Sequence, residues 1–197
     1  MRRTRVPETI LAIALSACVV EPELLNSERI KQRFGSFGLD VLHSSNGLRR
    51  ASLYSNEDGR KLCRTYGIVR FDNVPDTVIG DEHAQILAGS SIGSTFKANG
   101  WKIYKETRFV GELQIPARAD EVLQLMAVGE NELLAMHVYR LLLKKDEQTI
   151  DYSTIIELHH PEYLDKEQVT TLYIVDEPAR LTDTELSEVS DLVLKPS

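Results

Sequence analysis

"ELLAMHVYRLLLKKDEQTIDYSTIIEL", residues 132–158, has the outline of a strand, a charged turn and a second strand. The flanking runs, "ELLAMHVYRLLL" and "TIDYSTIIEL", are rich in β-branched, aromatic and other apolar residues, and "KKDEQ" between them is polar, as in an antiparallel hairpin. The same outline occurs earlier as "GLRRASLYS" (47–55), the turn "NEDG" (Asn56 to Gly59) and "RKLCRTYGIVRF" (60–71). Its Asp-Gly pair is a strong turn signal, because glycine supplies the positive φ of a tight hairpin. The two turns stand 88 residues apart, at Asp58 and Asp146.

Around each hairpin the pattern changes period. Leu24 to Phe34 carries apolar residues at 24, 25, 30 and 34 and stops at Gly35, a helical spacing; Gly38 to Leu42 reads as a short strand. Asp81 to Ala88 reads as a helix capped by Asp81, and "SSIGSTFKANG" (90–100) as a short helical piece closed by Gly100. "WKIYKETRFVGELQI" (101–115) alternates, with Trp101, Ile103, Phe109, Leu113 and Ile115 on one side; it reads as a long strand interrupted near Gly111. Ala119 to Val128 is a further helix, and "TDTE" (Thr182 to Glu185) before "LSEVSDLVL" is a capping-box signature for a C-terminal one. The order helix, strand, hairpin thus occurs twice. Two such units joined edge to edge predict an α+β fold: a duplicated α/β unit forming a roughly six-stranded antiparallel sheet, with helices packed on one face.

A chain of 197 residues, 42% hydrophobic and 27% charged, suits one globular domain with its own core. Its formal charge of −7, with no basic cluster beyond the first five residues, argues against nucleic acid as a partner. Two cysteines, Cys18 and Cys63, exclude a disulfide framework and a cysteine-based zinc site, although one bridge between them remains arithmetically open.

The N-terminus bears on location. "MRRTR" (1–5) is basic, and Ile10 to Ala17 is an apolar stretch too short to span a bilayer. Leu15-Ser16-Ala17-Cys18 resembles the bacterial lipobox, which implies cleavage before Cys18 and attachment of a lipid to its sulfur. On that reading residues 1–17 are a lipoprotein signal peptide, 18–23 a tether, and 24–197 a single domain with a C-terminal helix. The protein would sit in the cell envelope, anchored by Cys18 on the periplasmic side of a membrane. The alternative is a cytoplasmic protein whose first segment is an amphipathic helix, with Cys18 a small buried residue.

Three stretches, "LRRASLY…DG…CRT", "LAGSSIGSTF" and "YRLLLKKDEQTIDYSTIIELHHPEYL", together with the element order over residues 24–165, resemble the chorismate lyase-like superfamily. That superfamily includes chorismate pyruvate-lyases and the UTRA effector domains of bacterial regulators, and the resemblance implies a duplicated α/β unit with a six-stranded antiparallel sheet. In the lyases an Arg on the first hairpin strand, an Arg-Thr on its return strand, and a Glu-Leu shortly before a Pro on the second hairpin line a buried pocket. Arg49, Arg64-Thr65 and Glu157-Leu158 with Pro161 match those positions. Arg50 competes with Arg49, and a one-residue slip reverses a strand's faces; Arg49 is preferred because it stands fifteen residues before Arg64, as in the lyases.

The chemistry is coherent. A guanidinium grips a carboxylate with two parallel hydrogen bonds, and a buried Glu157 with a raised pKa could move a proton. The bland readings are also coherent: strand arginines are mostly solvated, and Arg49 and Glu157 could form a cross-strand pair. "HHPE" (159–162) reads as ordinary loop histidines rather than a metal site, because adjacent strand residues point to opposite faces and His159 and His160 could not readily share an ion. "GSSIGSTF" lacks the Lys of a phosphate loop and reads as an interhelical turn, and Cys63 has no evident His partner for nucleophilic work. No metal or cofactor is implied.

The two resemblances conflict, because chorismate is cytoplasmic and a lipobox exports the domain. The expectation is therefore a membrane-anchored lipoprotein whose domain uses Arg49, Arg64 and Glu157 to bind a small anionic ligand without turnover. One alternative is a lyase giving 4-hydroxybenzoate and pyruvate, with Glu157 as catalytic acid/base. Another is an envelope protein-protein interaction module. A regulator is not expected, since no winged-helix segment precedes the domain.

Overall fold

Both hairpins form where their turn residues allow the chain to reverse, and they lie side by side at the middle of one sheet. The computed structural model describes residues 19–20, 22–71, 74–173 and 181–194. In chain order these form β1 (Val19–Val20), α1 (Asn26–Phe34), β2 (Gly38–Ser45), β3 (Leu48–Glu57), β4 (Arg60–Arg70), α2 (Asp76–Leu87), α3 (Ile92–Ala98), β5 (Lys102–Gln114), α4 (Asp120–Met126), β6 (Leu133–Lys145), β7 (Gln148–His159), α5 (Lys166–Leu172) and α6 (Asp183–Leu194). The sheet order is β1-β5-β6-β7-β4-β3-β2, every pairing antiparallel: six long strands with a two-residue strand at one edge. The expected α+β fold is present.

The repeat is a two-fold in register. Arg64 is the extra residue opposite Leu53 and Tyr54, and Tyr152 is the extra residue opposite Leu141 and Leu142; they are 88 positions apart, like the turns. A second pair of bulges obeys the same offset on the facing strands, opposite Arg50 and Ala51 in one half and Val138 and Tyr139 in the other. Ile68 pairs with Ile156, its own counterpart, so the pseudo-two-fold axis passes through that pair at the β4–β7 seam.

Helices cover both faces of the sheet, which corrects the one-face expectation. On one side α4 and α6 pack Val122, Met126, Val189 and Val193 against Tyr66, Ile68, Met136 and Leu158. On the other, α2 and α3 cover Val69, Tyr139, Leu141 and Ile155, while α1 and α5 cover Ala135 and meet Tyr163. The cause lies in the central strands. Ile68 and Val69, Val138 and Tyr139, and Ile155 and Ile156 are apolar neighbours that point to opposite sides, so both faces must be buried.

Smaller differences have local causes. The irregularity of β5 falls between Thr107 and Phe109, whereas Gly111 stays paired with Met136; glycine is needed there because the Phe109 ring fills the space of a side chain. The helix expected from Asp81 begins at Asp76 and carries a kink at Ile79. Thr182 and Glu185 form the expected reciprocal cap of α6. Residues 1–17 and Cys18 lie outside the described residues, and so does any bridge or lipid on Cys18. Val19–Val20, in the expected tether, pair with Glu106 and Lys105 on β5.

Candidate functional site

Between the sheet and the α1/α3 side lies a cavity with an empty volume of about 770 Å³, part of it open to solvent. Its floor is Arg49 and Ala51 on β3, Gly67 and Val69 on β4, and Ile155 and Glu157 on β7; its roof includes Leu25 and Asn26 from the α1 side and Ile92 and Gly93 from α3. Gly67 makes room at the centre. A β-carbon placed on it would meet nothing closer than 3.9 Å, the Ala51 carbonyl oxygen. Glycine weakens a strand interior, so one in a central strand commonly marks close approach by something else.

Arg49 and Glu157 reach this one cavity. Strand spacing puts their α-carbons about 12 Å apart, two strands over and two residues along. Arg49 is only 2% exposed, donates from one Nη to the Ser90 carbonyl at 2.9 Å, and leaves its Nε without a partner. Among the described residues it has no carboxylate counter-ion. Burial lowers its pKa, with Tyr152 opposing, yet a guanidinium remains charged at any ordinary pH. Arg50 takes the opposite face and donates to the Leu192 carbonyl at 2.9 Å, which settles the choice between neighbours as a matter of strand parity.

Arg64 does not line the cavity. As the bulge residue its fully buried side chain turns away, donating to Ser55 Oγ at 2.9 Å and to Glu162 at 2.9 Å, pairing with Glu57 and lying 3.8 Å from the centroid of the Phe34 ring. Thr65, its neighbour, does face the same side of the sheet as Glu157. It accepts from Asn26 Nδ2 at 3.1 Å and contacts His159 Nδ1 at 3.1 Å. His159 and His160 point apart as expected, His160 lying beside Arg64 and Glu162.

Glu157 is the centre of a buried polar cluster. Lys105 Nζ, from β5, stretches past β6 and over the Tyr139 ring to reach Glu157 Oε2 at 3.1 Å, and it also donates to the Tyr173 hydroxyl at 3.1 Å. Asn26 donates to Glu157 Oε1 at 3.1 Å. Burial pulls the Glu157 carboxyl up, but Lys105, with lesser help from His159 and His137, pulls it down further, to about 2. Lys105 shows the converse: burial disfavours its charge, and Glu157 more than restores it, holding the ammonium well above its ordinary range. Burial pushes His159 down to about 4 and His137 well below its ordinary value, so both rings are neutral near pH 7. His137 stacks on Tyr173 with centroids 4.3 Å apart and contacts Thr107 Oγ1 through Nε2 at 3.0 Å.

Sequence reasoning missed Lys105, Asn26 and Gly67. The signal for Lys105 was present: it shares the parity of Trp101 and Ile103, so a lysine occupied a core-facing position of an alternating strand. Gly67 interrupts a strong strand run and carried the same kind of message. Asn26 carried none, because its role depends on how α1 docks.

No family model matches the chain, and no curated protein matches it. A solved structure, the C-terminal domain of the histidine utilization repressor from Pseudomonas syringae pv. tomato str. DC3000, is similar with a TM-score of 0.35 and 9% identity, over 66% of this chain and 90% of that one. A likeness at that level carries no argument about what this chain binds.

Proposed function

We propose that the chain is a membrane-anchored binding protein whose domain holds a small anionic ligand in the cavity above Gly67, without turning it over. The observation that carries this reading is Arg49: a buried guanidinium at an open cavity, with no carboxylate partner among the described residues. A buried charge left alone is costly, and an arriving anion would relieve that cost. The anchor rests on the lipobox-like "LSAC" at 15–18, and the resemblance of the element order to UTRA domains supports a binding role for the fold.

Turnover finds less support. With Glu157 as the acid the lyase alternative needs a proton on it, and a carboxyl held at about 2 by Lys105 has none to give near neutral pH and is a weak base. The interaction-module alternative needs a broad apolar surface. Among the described residues the exposed large apolar side chains are Val78 and Leu87 on α2 and Leu133 on β6, which do not amount to one.

Titrating the full chain with small anions in a calorimeter tests the reading. Saturable binding lost in Arg49→Gln, with circular dichroism unchanged, is expected; binding indifferent to that substitution, or none, overturns it. Formation of 4-hydroxybenzoate from chorismate, abolished by Glu157→Gln, would overturn the absence of turnover. The anchor is tested by growth with a labelled fatty acid: label on the wild type and none on Cys18→Ala is expected, and an unlabelled cytosolic protein refutes it.

A further inference from the structure

The cavity offers a ligand one charge and a long apolar wall. Lys105, the other cation at its edge, is already shared among Glu157, the Tyr173 hydroxyl and the Tyr139 ring. Glu157 is in turn held by Lys105 and Asn26, so that end of the cavity is neutral in sum and internally satisfied. Of the two cations that line the cavity among the described residues, Arg49 is the one with a donor to spare. The remaining surface is mainly aliphatic, with Val69, Ile103, Leu141 and Ile155 from the sheet and Leu25 and Ile92 opposite. Sugars and polyphosphates need many polar partners, and a second free cation for each further negative charge; a hydrocarbon chain needs neither.

We infer that the ligand is an aliphatic monocarboxylate, its carboxylate on Arg49 and its chain laid over Ala51 and Gly67, with Gly67 setting how much chain fits. This rests on the reading of the cavity as an anion site. The missing side chain of Gly67 is the space the hydrocarbon takes, because nothing in the protein approaches closer than 3.9 Å to where its β-carbon would stand. A larger residue there shortens the usable floor, its β-carbon making no contact closer than ordinary van der Waals distance, and it suits a strand better than glycine does.

The test is calorimetric titration of the full chain with butanoate, octanoate, benzoate and glucose 6-phosphate, repeated on Gly67→Val and Arg49→Gln. Octanoate is expected to bind the wild type most tightly. Arg49→Gln should weaken it roughly tenfold or more. Gly67→Val should shift the preference to butanoate while folding normally by circular dichroism. If glucose 6-phosphate or benzoate binds in an Arg49-dependent way and octanoate does not, the ligand class is wrong and the anion site stands. If octanoate binds equally well to Gly67→Val, the chain does not lie over Gly67. If no probe depends on Arg49, the anion site itself is refuted, and the inference with it.

Discussion

Lys105 and Glu157 illustrate how a buried pair is worth less for its attraction than for being complete. Each alone would be an uncompensated charge, and removing one member of such a pair typically costs about 3–5 kcal/mol. Lys105→Met is therefore expected to lower unfolding stability by about that much in urea, whereas a loss under about 1 kcal/mol would show that Glu157 is readily neutralised. The same residues set the acid response. His159, depressed from 6.5 to about 4, contributes stability that is present above 6.5 and lost as pH falls towards 4. Glu157, depressed from 4.5 to about 2, contributes stability present above 4.5 and lost on further acidification. Lys105 works oppositely, since its raised value gives stability present below 10.5 and lost only as pH rises through the folded value. Urea unfolding across the acid range should show stability declining from mildly acidic pH downwards, with the upper part of the decline shallower in His159→Gln, where buried His137 still contributes to it. A profile flat across that range in the wild type contradicts the assignment.

Among the elements, strand parity explains which arginine faces the cavity, and the bulges explain which does not. Arg49 and Arg50 differ by one position and therefore by a whole face. Arg64 matches the lyase pattern in sequence, but it is the extra residue of a bulge, and a bulge re-aims its side chain. Nothing in "RKLCRTYG" announces a bulge, because it arises from pairing with β3. The hairpins were legible because alternation and turn chemistry are local. The cover on both faces was less so: "GIVRF" and "STIIEL" do not alternate cleanly, and their consecutive apolar residues were the sign of a doubly buried sheet. Helix α5 passed unnoticed in "DKEQVTTL", whose β-branched residues disguise a helix, although Asp165 and Gln168 form a capping box there. Gly67 gives the element-scale prediction. Gly67→Val is expected to leave the thermal midpoint unchanged or raise it, since valine suits a strand better by up to about 1 kcal/mol. A clear fall would mean that the space above β4 is needed by the protein itself.

Across the whole molecule, the duplicated halves have diverged in what each places around one shared cavity. The pseudo-two-fold at Ile68 and Ile156 relates Arg49, Ala51, Gly67 and Val69 to His137, Tyr139, Ile155 and Glu157. Ala51 and Gly67 in the first set leave room above the strands, whereas their counterparts Tyr139 and Ile155 are large, and the Tyr139 ring, the stack of His137 on Tyr173 and the reach of Lys105 narrow that part of the cavity wall. The duplication could be read from two turns 88 residues apart; the asymmetry could not, because it depends on α5 and Tyr173 arriving from outside the repeat. The cavity proposed as an anion site therefore carries its guanidinium, Arg49, in one half, where the other half has His137. Nitrogen NMR of the arginine side chains tests it most directly, with the full chain titrated with octanoate and the Arg49 and Arg64 Nε signals assigned by substitution. The expected result is a saturating shift at Arg49 Nε while Arg64, held by Glu57 and Glu162, stays in place. Movement at Arg64 with Arg49 unmoved, or at neither, contradicts the site.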